Sequence, residues 1–271
     1  MKLNVFDSHT HSDNSPDGNH SISYLCERAI AKGVMGFSVT DHFDCDIAEE
    51  DGYFTRLRQS YFETELARST FGSSIRLTRG IELGQPWMVP DVAQRVLDEY
   101  DFDFVLGSVH SIEKGKDLYY IDYNDPDVVI ADVLEGYYKN NVELAKWNLF
   151  DSLAHLGYAE RYVWGKYRIP FSYEPYWDYI DETLKLLIQN GRGLEVNTAG
   201  YRQGLGKPNP DRGILKRYKE LGGEIITLGS DAHFADDIAA DFTMAMDLLT
   251  ELGFEYFAFY KERKPVMLKL I

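Results

Sequence analysis

Six of the seven histidines in this chain stand in short motifs spread along it, four of them beside or one residue from a carboxylate or another histidine. Asp7-Ser8-His9-Thr10-His11, Thr40-Asp41-His42 and Gly80-Ile81-Glu82-Leu83-Gly84 come first. Gly107-Ser108-Val109-His110-Ser111, Ala154-His155-Leu156 and Gly229-Ser230-Asp231-Ala232-His233 follow. Neutral imidazoles and carboxylates together are the ligand set for Zn²⁺, Mn²⁺ or Fe²⁺, with no thiolate required. His9 and His11 are separated by one residue, as are Asp231 and His233. Residues i and i+2 of a strand project to the same side, so each pair can aim at one pocket.

The elements that must position these groups alternate β-like runs with helical patterns, which indicates an α/β fold with parallel strands. Candidate strands are 3–6, 36–40, 75–83, 104–109, 152–154, 193–196 and 224–228, with a fainter one near 256–259. After Ser21, Ile22, Leu25, Cys26, Ala29 and Ile30 recur at helical spacing until Lys32-Gly33. Pro90-Asp91 opens a second helix. Further helices are expected near 128–149, 175–190, 211–221 and 236–252. Seven strand–helix units favour a barrel over an open sheet, and barrel chemistry sits at the C-terminal strand ends. The six histidines fall at those predicted ends, where a barrel brings them together.

A lone histidine at a strand end is more often a hydrogen-bonded core or surface residue than a ligand. Six of them with Glu82 and Asp231 outweigh that reading. His20 precedes a helix start and reads as a surface or capping-region residue. Cys45 reads as a small buried hydrophobe.

Bulk properties narrow the function class. The chain has 271 residues, with no internal repeat, low-complexity tract or Pro/Gly/Ser-rich linker, and reads as a single domain spanning 1–271. Asp and Glu outnumber Lys and Arg, 44 to 28, for a formal charge of −16. That disfavours binding to long nucleic acid or an anionic membrane, although a local basic pocket is compatible with it. No apolar run reaches the length of a membrane span. Met1–Phe6 is too short and polar for a signal peptide, and Cys26 and Cys45 form no disulfide framework, so a cytoplasmic protein is expected. No feature of the sequence sets an oligomeric state.

The order His-x-His, Asp-His, Glu, His, His and a late Asp-x-His, from Asp7 to His233, resembles the polymerase and histidinol phosphatase (PHP) superfamily. The resemblance implies a distorted (β/α)7 barrel with three divalent transition-metal ions, zinc, iron or manganese. It adds Asp17, in Pro16-Asp17-Gly18, as a ninth ligand; by itself that aspartate is simply a turn former. Carried over by position, His9, His11, Glu82 and Asp231 hold the first metal. Glu82 bridges to the second, completed by His110 and His155. Asp17, His42 and His233 hold the third. Glu82, Asp231 and His233 are expected to carry the catalysis.

Within the superfamily the chain looks most like the histidinol-phosphate phosphatases of histidine biosynthesis, through His9-Thr10-His11-Ser12, Gly80-Ile81-Glu82, Gly107-Ser108-Val109-His110 and Asn197-Thr198-Ala199-Gly200-Tyr201-Arg202. The implied reaction is hydrolysis of a small phosphomonoester by a metal-bridging hydroxide, which needs no Ser or Cys nucleophile. Arg161, Arg202 and, more weakly, Lys207 are the expected phosphate contacts. Phe43, Asp44, Asp46, Gln85, Trp87, Tyr158, Glu160 and Trp164 are candidates for a pocket wall suited to an amine-bearing alcohol. The alternatives are a phosphoesterase for small nucleotides or diesters, a metal-depleted interaction module, and a metal-dependent amidohydrolase. The last would want a mid-chain bridging lysine and a different histidine order.

Overall fold

The computed structural model describes residues 3–270, so Met1 and Lys2 of the N-terminal stretch read above lie outside it. Its first strands are β1 (Leu3–Thr10), β2 (Val34–Val39), β3 (His42–Asp44), β4 (Arg76–Gly84) and β5 (Phe104–Ser108). A small antiparallel hairpin follows, β6 (Ser111–Glu113) with β7 (Lys116–Asp117). Then come β8 (Ser152–Leu153), β9 (Gly193–Asn197), β10 (Ile226–Gly229), β11 (Tyr256–Lys261) and β12 (Lys264–Lys269).

Seven strands pair in parallel in the order β1, β2, β4, β5, β8, β9, β10. The ring closes just beyond the end of β10. His11 N–H donates to the Ala232 carbonyl at 2.9 Å, and Asp231 N–H donates to the His9 carbonyl at 2.9 Å. At the body of β10 the neighbour is instead β11, whose Phe259 stacks on Phe6 of β1 at 4.4 Å. Closure by two hydrogen bonds beside an intruding strand makes this a distorted (β/α)7 barrel. The expected strands all form, with ends shifted by a few residues.

The outer layer is α1 (Ile22–Lys32), α2 (Tyr53–Phe71), α3 (Pro90–Glu99), α4 (Ile130–Trp147), α5 (Trp177–Gln189), α6 (Arg212–Glu220) and α7 (Phe242–Glu251). Local chemistry sets their ends. Ser21 Oγ caps α1 by accepting from Tyr24 N–H, and Gly33 closes it at φ 73°, where a side chain is disfavoured. Asp211 caps α6 by accepting from Gly213 and Ile214 N–H. The sequence reading passed over α2, the hairpin and β12. Every residue of β5 and of β9 is buried, as expected for parallel strands covered on both faces. Ser108, Glu195 and Asn197 are the polar exceptions in those two strands, and the latter two belong to the site. No described helix is long and apolar enough to cross a membrane.

Candidate metal centre

Glu82, near the end of β4, is 1 % exposed and lies among five imidazoles. Its Oε1 is 3.1 Å from His110 Nε2 and 2.8 Å from His155 Nε2. Its Oε2 is 2.8 Å from His42 Nδ1, 3.3 Å from His9 Nε2 and 3.6 Å from His11 Nε2. None of the Oε2 contacts has hydrogen-bond geometry. A carboxylate offers about four lone-pair sites, so five converging rings overfill it. An orphaned buried oxygen of this kind is costly unless a stronger electrophile than N–H sits between the groups.

The outer ring nitrogens explain why the inner ones are bare. His9 Nδ1 donates to Glu195 Oε1 at 2.7 Å, and His110 Nδ1 donates to Asp44 Oδ1 at 2.9 Å. Ser15 Oγ donates to Asp41 at 2.7 Å and can only accept from His11 Nδ1, 3.0 Å away. Each partner fixes the proton on Nδ1 and leaves Nε2 as an inward lone pair. Accordingly His9 Nε2 and His11 Nε2 face one another at 3.0 Å, and His110 Nε2 and His155 Nε2 at 3.4 Å. Lone pairs oppose one another across the His9–His11 contact, which suits a cation between them, whereas His155 Nδ1 has no partner that would fix its tautomer. The donor set and its tautomers fit divalent transition metals.

At the outer edge Asp17 Oδ2 is 3.0 Å from His233 Nε2, and its Oδ1 is 3.6 Å from His42 Nε2. Asp231 Oδ1 lies 3.2 Å from His11 Nε2 and 3.6 Å from His9 Nε2. All nine residues nominated as ligands therefore meet in one chain of contacts. Three sets have donor atoms close enough to share an ion: His9, His11 and Asp231; His42, Glu82 and His110; and His11, His42 and His233. His11 thus also neighbours the His42–His233 pair, a sharing the expected partition did not include. Without a cation the electrostatics are frustrated. Burial opposes charge on His9, yet Glu195, Glu82 and Asp231 outweigh it and raise its pKa well above the usual histidine value. Burial and the rings of His233 and His42 push His11 down to about 3. Burial also opposes charge on His42, but Glu82 and Asp17 lift it to about 9. Burial would raise Glu82 and Asp231, and the surrounding histidines hold both well below the carboxylate range.

Backbone conformation aims these groups. His155 and Asp231, each just past a barrel strand, adopt positive φ of 26° and 54°, a strained region that concentrates at functional sites. Two strand-end glycines make room for the carboxylates behind the rings. A Cβ on Gly229 would overlap Glu195 Oε1 and His9 Cβ, and one on Gly84 would overlap Asp44 Oδ1.

Above the centre opens a cavity of about 480 Å³ lined by Asp17, His42, His110 and His233 on one side. Tyr53, Asp44, Asp117, Tyr119, Tyr120, Tyr158, Arg161 and Tyr162 form the rest of its wall, with Pro16 at the edge. Tyr158 starts a short helix whose continuation, Arg161–Lys166, is π-helical. The i, i+3, i+4 spacing puts Tyr158, Arg161 and Tyr162 on one face. Of the three basic residues expected at a phosphate, Arg161 lines this cavity. Arg202 does not: its guanidinium donates to the Ser230 carbonyl at 2.7 Å and to Asp241 at 3.3 Å. Lys207 lies elsewhere, paired with buried Glu160 at 2.8 Å and Asp211 at 3.2 Å, because a carboxylate that is 1 % exposed requires a counter-charge. Of the pocket-wall candidates, Asp44 and Tyr158 reach the cavity. Phe43 is core, Asp46 and Gln85 bond one another, and Trp87 packs on the core.

Residues 7–199 match the family model for the PHP domain. The chain belongs to the PHP domain family. Among the relatives that carry the name probable histidinol-phosphatase are two at 30% identity. The one from Thermotoga maritima is 30% identical over 98% of this chain and 100% of its own length, and the one from Clostridium acetobutylicum is 30% identical over 90% and 92%. The crystal structure of a histidinol phosphate phosphatase from Lactococcus lactis, complexed with zinc, L-histidinol and phosphate, superposes with a TM-score of 0.77 at 24% identity. The match covers 98% of this chain and 100% of that one. At that identity the likeness establishes the fold.

In this PHP domain the matched stretch stops before Asp231 and His233, which reach the centre through barrel closure. Sequence reasoning missed Glu195, which is fully buried. Its Oε2 also accepts from His155 N–H at 2.8 Å, so one carboxylate steadies two histidines. The available signal was a charged residue within Gly193-Leu194-Glu195-Val196, an otherwise apolar strand. Asp41 and Ser15 were also passed over, although Asp41 accepts from Ser12, Ser15 and Ser60 and so organises the His11 loop. His20 and Cys45 read as expected: His20 Nδ1 accepts from Ala235 N–H at 3.3 Å, and Cys45 is buried and free.

Proposed function

We propose that this chain is a metal-dependent histidinol-phosphatase. It hydrolyses L-histidinol phosphate to L-histidinol and phosphate, in a cytoplasmic histidine-biosynthetic role, with residues 1–271 acting as one catalytic domain. The observation that carries the reading is buried Glu82, its oxygens split between His110–His155 and His9–His11–His42, behind the His42 and His110 that line a cavity with Arg161 in its wall. The whole-length similarity to relatives of that name supports the substrate class.

The split carboxylate supports Glu82 as the bridge between two ions, with His9, His11 and Asp231 on one side and His110 and His155 on the other. Asp17, His42 and His233 are proposed to hold a third, and zinc, iron or manganese would suit the donors. Such ions, when bound, supply Lewis acidity that activates water near neutral pH and offsets charge on a phosphoryl group. The protein's own contribution is positional. Glu195, Asp44 and Ser15 lock the ring tautomers before substrate arrives. Arg161 presents a planar fork to the phosphoryl oxygens. Arg202 holds the Ser230 carbonyl, and with it the backbone leading to Asp231. Lys207 neutralises Glu160 at the base of the Arg161 segment.

A side-by-side assay of metal-replete protein against L-histidinol phosphate, nucleoside monophosphates and a phosphodiester tests the reading. L-Histidinol phosphate should give by far the highest kcat/KM. Equal or better turnover of a nucleotide or diester would overturn the substrate assignment.

A further inference from the structure

The imidazoles of the centre are not all held in the same way. His9, His11, His110 and His233 each set Nδ1 against a fixed oxygen: Glu195 at 2.7 Å, Ser15 at 3.0 Å, Asp44 at 2.9 Å and the Asp231 carbonyl at 3.0 Å. His42 turns Nδ1 to Glu82 at 2.8 Å and Nε2 to Asp17 at 3.6 Å. His155 differs from all of them. Its Nε2 meets Glu82 Oε1 at 2.8 Å, but its Nδ1 is buried and makes no hydrogen bond with a described residue. No ring partner aims this imidazole, so its direction must come from the main chain and from packing.

The main chain of His155 is correspondingly over-determined. It sits at φ 26°, a conformation that persists only where the surroundings enforce it. Its N–H donates to Glu195 Oε2 at 2.8 Å, and its carbonyl accepts from Tyr158 N–H at 2.8 Å, which closes a four-residue turn over Leu156 and Gly157. Gly157, at φ 116°, supplies the conformation that the turn needs.

One side chain ties that turn to the outer layer. The Tyr137 hydroxyl of α4 accepts from Gly157 N–H at 2.9 Å and Tyr158 N–H at 3.0 Å, and donates to the His155 carbonyl at 3.2 Å. A phenol has one proton and two acceptor positions, and all three are used within this one turn. Tyr137 is fully buried in the middle of an 18-residue helix, where Asn141 Nδ2 donates to its carbonyl at 2.9 Å. Burial pushes its hydroxyl up to about 12, so the proton needed by the His155 carbonyl stays in place. A core tyrosine with no further task needs one partner to be satisfied; three contacts to consecutive peptide groups make a clamp.

Building on the metal-centre reading, we propose that Tyr137 is a positioning residue for the ion held by His110, His155 and Glu82. Its hydroxyl does for His155, through the backbone, what the carboxylates do for His9 and His110 through the ring. Tyr137 touches neither substrate nor metal, so its effect falls on the affinity of one site. With the turn unclamped, the His155 ring loses its aim, while the ligands His9, His11 and Asp231 keep theirs.

The test is Tyr137→Phe, which removes the hydroxyl and keeps the ring. Metal per chain is counted after dialysis against graded chelator, and turnover of L-histidinol phosphate is titrated with free zinc. The variant should release one ion at a chelator concentration at which wild type retains it. It should need roughly 10- to 100-fold more free zinc for half-maximal turnover, and regain near wild-type kcat and KM at saturating zinc. A merely structural hydroxyl would lower Tm and leave the zinc requirement alone. An unchanged requirement, or an equal weakening of every ion, overturns the clamp. Wild type that binds no metal overturns the metal-centre reading and this one with it. If Tyr137→Phe does not fold, amide hydrogen exchange in wild type decides. Gly157 and Tyr158 should exchange as slowly as the barrel strands, and exchange at the rate of an open turn overturns the proposal.

Discussion

Glu195 and His9, both fully buried, share a 2.7 Å hydrogen bond that holds the His9 proton on Nδ1 and turns Nε2 toward Glu82. Glu195 does not line the cavity above the centre, so its influence on chemistry must pass through His9 and through the amide of His155. Glu195→Gln keeps the shape and removes the charge that raises the basicity of His9. It should weaken metal binding about 10- to 100-fold, measured as retained metal after dialysis against a graded chelator. Glu82→Gln should be more severe, because it alters a group facing five imidazoles at once. Retention in Glu195→Gln equal to wild type would remove the positioning role.

Arg161 is the basic side chain in the cavity wall, and its replacement should damage recognition without damaging the centre. Arg161→Ala is expected to lower kcat/KM for a phosphomonoester roughly ten- to a hundredfold, worth about 1.5–3 kcal/mol, with metal content unchanged. Kinetics like wild type would mean that the phosphoryl group binds elsewhere.

Lys207 should behave differently. Its ammonium is the counter-charge of Glu160, whose carboxylate also accepts from the Tyr173 hydroxyl. Lys207→Met should cost about 1–3 kcal/mol of stability, seen as a fall in Tm of several degrees by calorimetry. An unchanged Tm with a large loss in kcat/KM would instead return Lys207 to the phosphate site.

The centre was legible in the sequence because barrel strand ends are polar interruptions in apolar runs, and six histidines falling at such ends is a pattern one chain can display. Glu195 was hidden because the one local signal, a single charged residue inside a short apolar strand, names no partner; only the fold shows that it reaches His9. The helix Tyr53–Phe71 was missed for a related reason. Its buried stripe is Tyr53, Leu57, Ser60, Thr64 and Ala67, at helical spacing but largely small or polar, while Phe62 and Leu66 are exposed. Ser60 lies on that stripe to donate to Asp41, so the demand of the site overrode the amphipathic pattern. The hairpin bearing Asp117 has strands of three and two residues, too short for periodicity to register.

The most direct measurement is turnover of L-histidinol phosphate by one preparation in three states: as purified, rigorously metal-free, and reconstituted with zinc, manganese or iron(II), with metal per chain counted in each. Glu82 and its five imidazoles predict more than one ion per chain as purified, loss of turnover on removal and recovery on reconstitution. Full turnover by protein shown to be metal-free would contradict the account.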